Sequence, residues 1–322
     1  MNRSDYAYSV AYVRAIENKL LTKADIESLI NAPSEGDALR ILADKGYGAK
    51  VLDENFENAL NESFEKCYNE IKDIAPKNSP LDVLLYKNDF HNLKVVLKGV
   101  QLGVKDYKNY IITPATIDYE TLIDSIAKAQ FGELPSMLGE VASKAYEILG
   151  KTGDSQLSDL CIDKASMDFC LSQAQKSKNE VLTELIKLTN TLTNIKIAAR
   201  CALTQKDASF ADMALSDSSG LDRRELISKI SLGFESLLEY LSSCGFSDEA
   251  AALKISVAEY EKYADNTIND YMKNSKYITL GIEPLIAYIY SKQNEIQAIR
   301  IIIGAKQNGI DEEKIRVRLR SF

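Results

Sequence analysis

Apolar positions recur at helical spacing along most of the chain. Between residues 55 and 73, Phe56, Leu60, Phe64, Cys67 and Ile71 fall at steps of four, four, three and four. That is one stripe of an amphipathic helix, and Pro76 stops it because proline cannot continue the hydrogen-bond ladder. The same pattern predicts a first helix over 5–21, with Val13, Ile16, Leu20 and Leu21 on one side. Three longer stretches follow, from Pro80 to about Gly103, over 178–203 and over 282–308. Pro80 suits a first helical position, where its missing N–H costs nothing. Thr22 and Ser34, followed three residues on by Asp25 and Asp37, read as N-caps, and Gly46 and Gly48 close that region. Loops are expected at 107–118, 150–155, 207–221 and 273–282.

One segment recurs inside the long stretches. Asn92-Leu93-Lys94-Val95-Val96-Leu97-Lys98 is echoed by Asn194-Ile195-Lys196-Ile197-Ala198-Ala199-Arg200, and more weakly by Glu295-Ile296-Gln297-Ala298-Ile299-Arg300-Ile301. A faint fourth copy is Val13-Arg14-Ala15-Ile16-Glu17. A second motif keeps the same order: Asp25–Ile30, Glu120–Ile126 and Glu225–Ile230 resemble one another. Two motifs in a consistent order point to three repeats of about a hundred residues, an ordinary domain size. The expected division is 1–91, 92–194 and 195–322, with boundaries inside long helices. Units this large and this few do not form a standard solenoid.

Composition sharpens the class. Gly (15) and Pro (6) are scarce, Trp is absent and Tyr (17) supplies most aromatic surface. Scarce punctuation favours long helices over many short strands. The net charge of −8 argues against nucleic acid as a main partner, since phosphate recognition needs clustered Lys and Arg. The N-terminal stretch is interrupted by Asp5, Arg14 and Glu17, unlike a signal peptide, and no run reaches the ~18 apolar residues of a membrane span. A cytoplasmic chain is expected. The five cysteines, Cys67, Cys161, Cys170, Cys201 and Cys244, lack any Cys-x-x-Cys pair and read as buried reduced thiols.

Candidate chemistry is thin. Gly150-Lys151-Thr152 resembles the end of a phosphate-binding loop, but Ala145 stands where the first Gly belongs and a helix, not a strand, precedes it; a helix C-cap fits better. Gly46-Tyr47-Gly48 fails as a dinucleotide fingerprint because Val51 replaces the third Gly. His91 is the only histidine, which excludes multi-histidine metal sites and reads as a helix-packing residue. No catalytic, cofactor or metal residue is assigned, and no small-molecule substrate is expected. By the repeat, Arg14, Lys94, Lys196 and Arg300 are similarly placed polar residues on apolar helices, and are candidate interface residues as well as ordinary snorkelling side chains. Near the C-terminus, Asp311-Glu312-Glu313 precedes Lys314, Arg316, Arg318 and Arg320. Acid followed by base complements a helix dipole; the same basic end could dock an acidic partner.

The chain resembles the C subunit of the rotary V/A-type ATPases, the family of the eukaryotic d subunit. The resemblance is carried by Tyr6-Ala7-Tyr8 through Leu21 with Ser34–Leu42 and Gly46-Tyr47-Gly48, by Leu192-Thr193-Asn194-Ile195-Lys196 with Arg200, and by 294–300, Gly304–Gly309 and 313–320. These blocks span the chain. Two departures stand out: Asn190 and Thr191 where the family often has an acidic residue, and Ala305 between Gly304 and Lys306. The resemblance implies an all-α, funnel-shaped body of three similar helical domains with pseudo-threefold symmetry. It also implies a non-catalytic central-stalk component, peripheral to the membrane, that couples a shaft of the D and F subunits to a membrane rotor ring. ATP hydrolysis or synthesis would thereby be linked to H⁺ or Na⁺ transport. The alternatives are an all-helical enzyme or a soluble helical scaffold with a site between repeats.

Overall fold

Helices account for most of the chain, as its spacing predicts, and no strand occurs among the described residues. The protein is seen in a computed structural model that describes residues 2–48, 56–218 and 220–320. Val51 and Asn55 lie outside the described residues. The chain divides into two compact units, one made of Met1–Ser79 with Asp265–Phe322 and the other of Pro80–Ala264. The first is therefore built from both ends of the sequence, and the second from one contiguous stretch.

The first unit contains α1 (Ala7–Ile16), α2 (Lys23–Asn31), α3 (Glu35–Leu42) and α4 (Phe56–Ile74). The second contains α5 (Tyr86–Leu102), α6 (Tyr119–Ala127), α7 (Ser136–Thr152), α8 (Ser155–Lys176) and α9 (Glu180–Leu203). It continues with α10 (Ala208–Ala214), α11 (Arg223–Leu232), α12 (Phe234–Ser243) and α13 (Ser247–Ile255). The unit boundary falls within α14 (Val257–Lys273), and α15 (Glu283–Gln307) and α16 (Glu312–Arg318) return to the first unit.

In the first unit α15 is the central element. It packs on α4, α1, α3 and α2 and buries Leu285, Ile289, Ile296, Ile299 and Ile303. The α4 stripe meets it with Leu60, Phe64, Cys67 and Ile71, all buried. Each such side chain contributes about 1.5–3 kcal/mol relative to exposure. In the second unit Phe90, Leu93, Val96 and Leu97 of α5 pack with Leu122 and Ile126 of α6, Leu138 and Ala142 of α7, and Ile162 of α8. The register of α5 against α8 is antiparallel: Lys98 meets Asp159 and Lys94 meets Asp163. Gly99 admits the Tyr107 ring, which a Cβ there would overlap.

Local expectations hold where side-chain chemistry dictates them. Thr22 and Ser34 cap α2 and α3 by accepting from the backbone N–H of Asp25 and Asp37. Others are refined. The 5–21 stretch is α1 flanked by 3₁₀ turns, Arg3–Tyr6 and Glu17–Lys19. The stretch opening at Pro80 is a 3₁₀ turn, Pro80–Leu84, ahead of α5. Gly150 lies inside α7, whose left-handed C-cap is Gly153. The 207–221 loop contains α10. Of the thiols, Cys67, Cys170 and Cys201 are buried and Cys161 partly so, but Cys244 is exposed, because it follows the last turn of α12.

Candidate functional site

The recurring motif places one buried polar residue on each of α5, α9 and α15, and each holds the backbone of a distant segment. Asn92 of α5, 1% exposed, donates from Nδ2 to the Ile112 carbonyl at 2.9 Å and accepts the Ile112 N–H at 2.8 Å. Asn194 of α9, 0% exposed, does the same with Ser216, at 2.7 and 3.2 Å. At the third position, Glu295 of α15 accepts the Leu21 N–H at 2.5 Å. A buried backbone group left unpaired costs about 1–3 kcal/mol, so each contact fixes the course of the chain it holds.

Each held segment leads into a helix of the second motif. Those helices, α2, α6 and α11, open with side-chain caps: Thr22, Asp118 and Asp222 accept from Asp25, Thr121 and Glu225 at 3.2, 3.2 and 2.9 Å. Neighbouring positions add to the grip. One turn before Asn92, Asn88 donates to the Pro114 carbonyl at 2.8 Å, and Asp89 accepts from the backbone of Thr116 and Ile117. Burial raises the Asp89 carboxyl above its usual range, against the lowering effect of those hydrogen bonds. In α9, Asn190 donates to the Met167 carbonyl at 3.0 Å and Thr191 accepts the Gly220 N–H at 2.7 Å. Asn190 and Thr191, where the resembling family often carries an acid, are thus buried structural residues here. The spacing of the motif marks Asn92 and Asn194, but their partners lie in loops of unrelated sequence, which no pattern along the chain identifies.

The candidate interface residues are largely engaged within the chain. Arg14 pairs with Glu17 and donates to the Ser275 and Ile278 carbonyls at 3.1 and 3.2 Å. Lys94 meets Asp163 at 2.6 Å, and Lys196 lies 3.8 Å from Glu261, which also takes Arg200 at 2.7 Å. Arg300 reaches Glu57 and Asn61, each at 2.8 Å. In the basic end, Lys314 meets the capping Asp311, Arg316 bonds Glu27 and Asn31 of α2, and Arg320 bonds Asp265. Arg318 is exposed at the end of α16. Arg14, Arg300 and Arg316 help tie the two ends of the chain into one unit, whereas the Arg320 contact lies within the C-terminal segment. His91 donates from Nε2 to the Tyr110 carbonyl at 3.0 Å, a contact of the same 107–118 segment that Asn92 holds.

Among the described residues no group of three or more His, Cys, Asp or Glu side chains is placed to hold a metal ion, and no helix is long and apolar enough to cross a membrane. A polar cavity of the first unit, about 680 Å³, is bordered by Tyr47, Cys67 and Lys292. Burial pushes the Cys67 thiol up to about 12, the opposite direction from the lowered value of an activated cysteine. The Tyr47 hydroxyl is also raised, by burial and by Glu295 beside it.

Comparison with known proteins agrees with this picture of a chain organised end to end. Residues 9–318 match the family model of the ATP synthase (C/AC39) subunit. The C subunit of the V-type sodium ATPase of Enterococcus hirae is 24% identical over 96% of this chain and 96% of its own length. The C subunit of the A-type ATP synthase of Methanococcoides burtonii is 24% identical over 98% of this chain and 94% of its own. That of Thermococcus kodakarensis is 24% identical over 97% and 89%. With the match running through α1 and α16 alike, the chain belongs to the ATP synthase (C/AC39) subunit family.

Proposed function

We propose that the chain is the non-catalytic central-stalk component of a rotary V/A-type ATPase. It acts as a socket that receives a shaft of the D and F subunits and seats it on the membrane rotor ring. ATP hydrolysis or synthesis at the A and B subunits is thereby linked to transport of H⁺ or Na⁺. The chain sits in the cytoplasm, peripheral to the membrane, and takes neither cofactor nor small-molecule substrate.

The observation that carries this reading is the family match over residues 9–318, with relatives named as the C subunit of such ATPases covered over nearly their whole length. The fold supports it. Torque transmission needs stiffness, and the buried clamps at Asn92, Asn194 and Glu295 fix long helices to the segments beside them. The recurrence of that clamp also supports three repeats, at 1–91, 92–194 and 195–322, as the plan of the molecule.

The test is co-purification from native membranes. Recovery of the chain with the A, B, D and F subunits and with the ring is the expected result. A chain that washes off as a soluble species, with none of these partners, would sink the proposal in favour of a soluble scaffold. Turnover by the isolated chain would favour an enzyme.

A further inference from the structure

The third clamp differs chemically from the other two. An asparagine amide both donates and accepts, so Asn92 and Asn194 close their contacts without charge. An ionised glutamate only accepts. Glu295 is 1% exposed; its Oε2 takes the Leu21 N–H and its Oε1 takes the Tyr47 hydroxyl, each at 2.5 Å. Its countercharge is Lys292, one turn away, with Nζ 2.6 Å from Oε1 and a side chain 12% exposed. Lys292 also donates to the Tyr47 hydroxyl at 3.0 Å and lies 4.3 Å from the centre of that ring.

Of the other charges around the cavity, Lys45 pairs with Asp25 at 2.6 Å and Lys66 with Glu62 at 4.0 Å, and Lys19 and Asp44 line it too. From α4, Cys67 and Glu70 border the cavity, as does Tyr288 of α15. Among the described residues Lys292 is the cation that meets Glu295. Removing one partner of a buried ion pair leaves the other charge uncompensated, whereas removing both is close to neutral. The cavity gives water a path to the groups that an opening would release.

We propose that Glu295, Lys292 and Tyr47 form a conformational latch. The triad holds the segment from Leu21 through α2, together with the turn Ala43–Tyr47, onto α15. When the ion pair is broken that part of the first unit opens as one body, giving up the contacts of Lys306 with the Ile30 and Ala32 carbonyls and of Arg316 with Glu27 as well, while the segments held by Asn92 and Asn194 stay closed. The latch does not depend on the proposed place of the chain in an ATPase.

Hydrogen exchange followed by mass spectrometry on the full chain tests it. Lys292→Met should speed exchange across 21–31 and 43–47 on the order of 100-fold, with α6 and α11 unchanged. The double variant Lys292→Met/Glu295→Gln should exchange much more slowly there than Lys292→Met alone. Wild-type exchange in Lys292→Met, a rise spread equally over both units, or a double variant as labile as the single would overturn the latch. Tyr47→Phe is the milder probe should Lys292→Met fail to fold. It should give a rise on the order of tenfold confined to the same segments, and a rise elsewhere or none would equally overturn the proposal.

Discussion

Asn92 and Ile112 exchange two hydrogen bonds, side-chain amide to backbone, at 2.9 and 2.8 Å. The pair closes a 20-residue excursion of the chain back onto α5. Asn92→Ala strands both the N–H and the carbonyl of Ile112, and should cost about 2–4 kcal/mol in urea unfolding. Asn92→Asp keeps the acceptor but turns a carboxylate oxygen toward the Ile112 carbonyl, so it should do no better than alanine. Wild-type stability in either variant would remove the clamp from the account of the fold.

Gly99 sits where no side chain fits. An added Cβ would overlap the Tyr107 ring, so Gly99→Ala must displace that ring. The expected loss is about 1–3 kcal/mol, read as a lower thermal midpoint. Tyr107→Ala in the same background should recover part of it, since the clash is gone although the ring's packing is lost.

The basic C-terminal residues separate by their partners. Arg316→Glu sets like charges against Glu27 and Glu312 and should cost about 1 kcal/mol, the scale of an exposed pair. Arg318→Glu should change stability by less than about 0.5 kcal/mol, yet reduce retention of the chain on washed membranes if the end of α16 docks a partner. Unchanged retention would confine the basic end to holding α2.

Asp25 gives a pH prediction with a definite sign. The Lys45 ammonium, with the backbone N–H and hydroxyl of Thr22, holds its carboxyl down at about 2. A depressed carboxyl contributes stability that is complete above the unfolded value of ~3.9 and is lost as pH falls through the folded one. Lys45→Met should move the carboxyl-carbon titration of Asp25 up toward the ordinary aspartate value. An unmoved midpoint would assign the depression to the Thr22 cap alone.

Much of this structure is written locally. The stripe of α4 and the caps at Thr22 and Ser34 follow from spacing and from three-residue reach, and α9 and α15 end within two residues of their expected limits. The break at Leu85 is not, because a 3₁₀ turn and the first turn of an α-helix bury similar residues. The Gly153 cap lies three residues beyond the expected one because Gly150 is tolerated within a helix that Leu149 anchors in the core. The site is half legible. The recurrence marks positions 92, 194 and 295, but Ile112, Ser216 and Leu21 carry no sequence signal, since each contributes only its main chain. Lys292 and Tyr47 are hidden for a related reason: they meet across 245 positions.

Lys306 of α15 donates to the carbonyls of Ile30 and Ala32 at 2.7 and 2.6 Å, satisfying the end of a helix made almost 280 residues earlier. During synthesis α2 therefore leaves the ribosome long before the residues that complete it. Its buried face, Ile26, Leu29 and Ile30, has to wait while the whole contiguous second unit is translated and free to fold. The middle of the sequence is thus free to fold before either end is complete, and the first eighty residues are the stretch left longest without their partners.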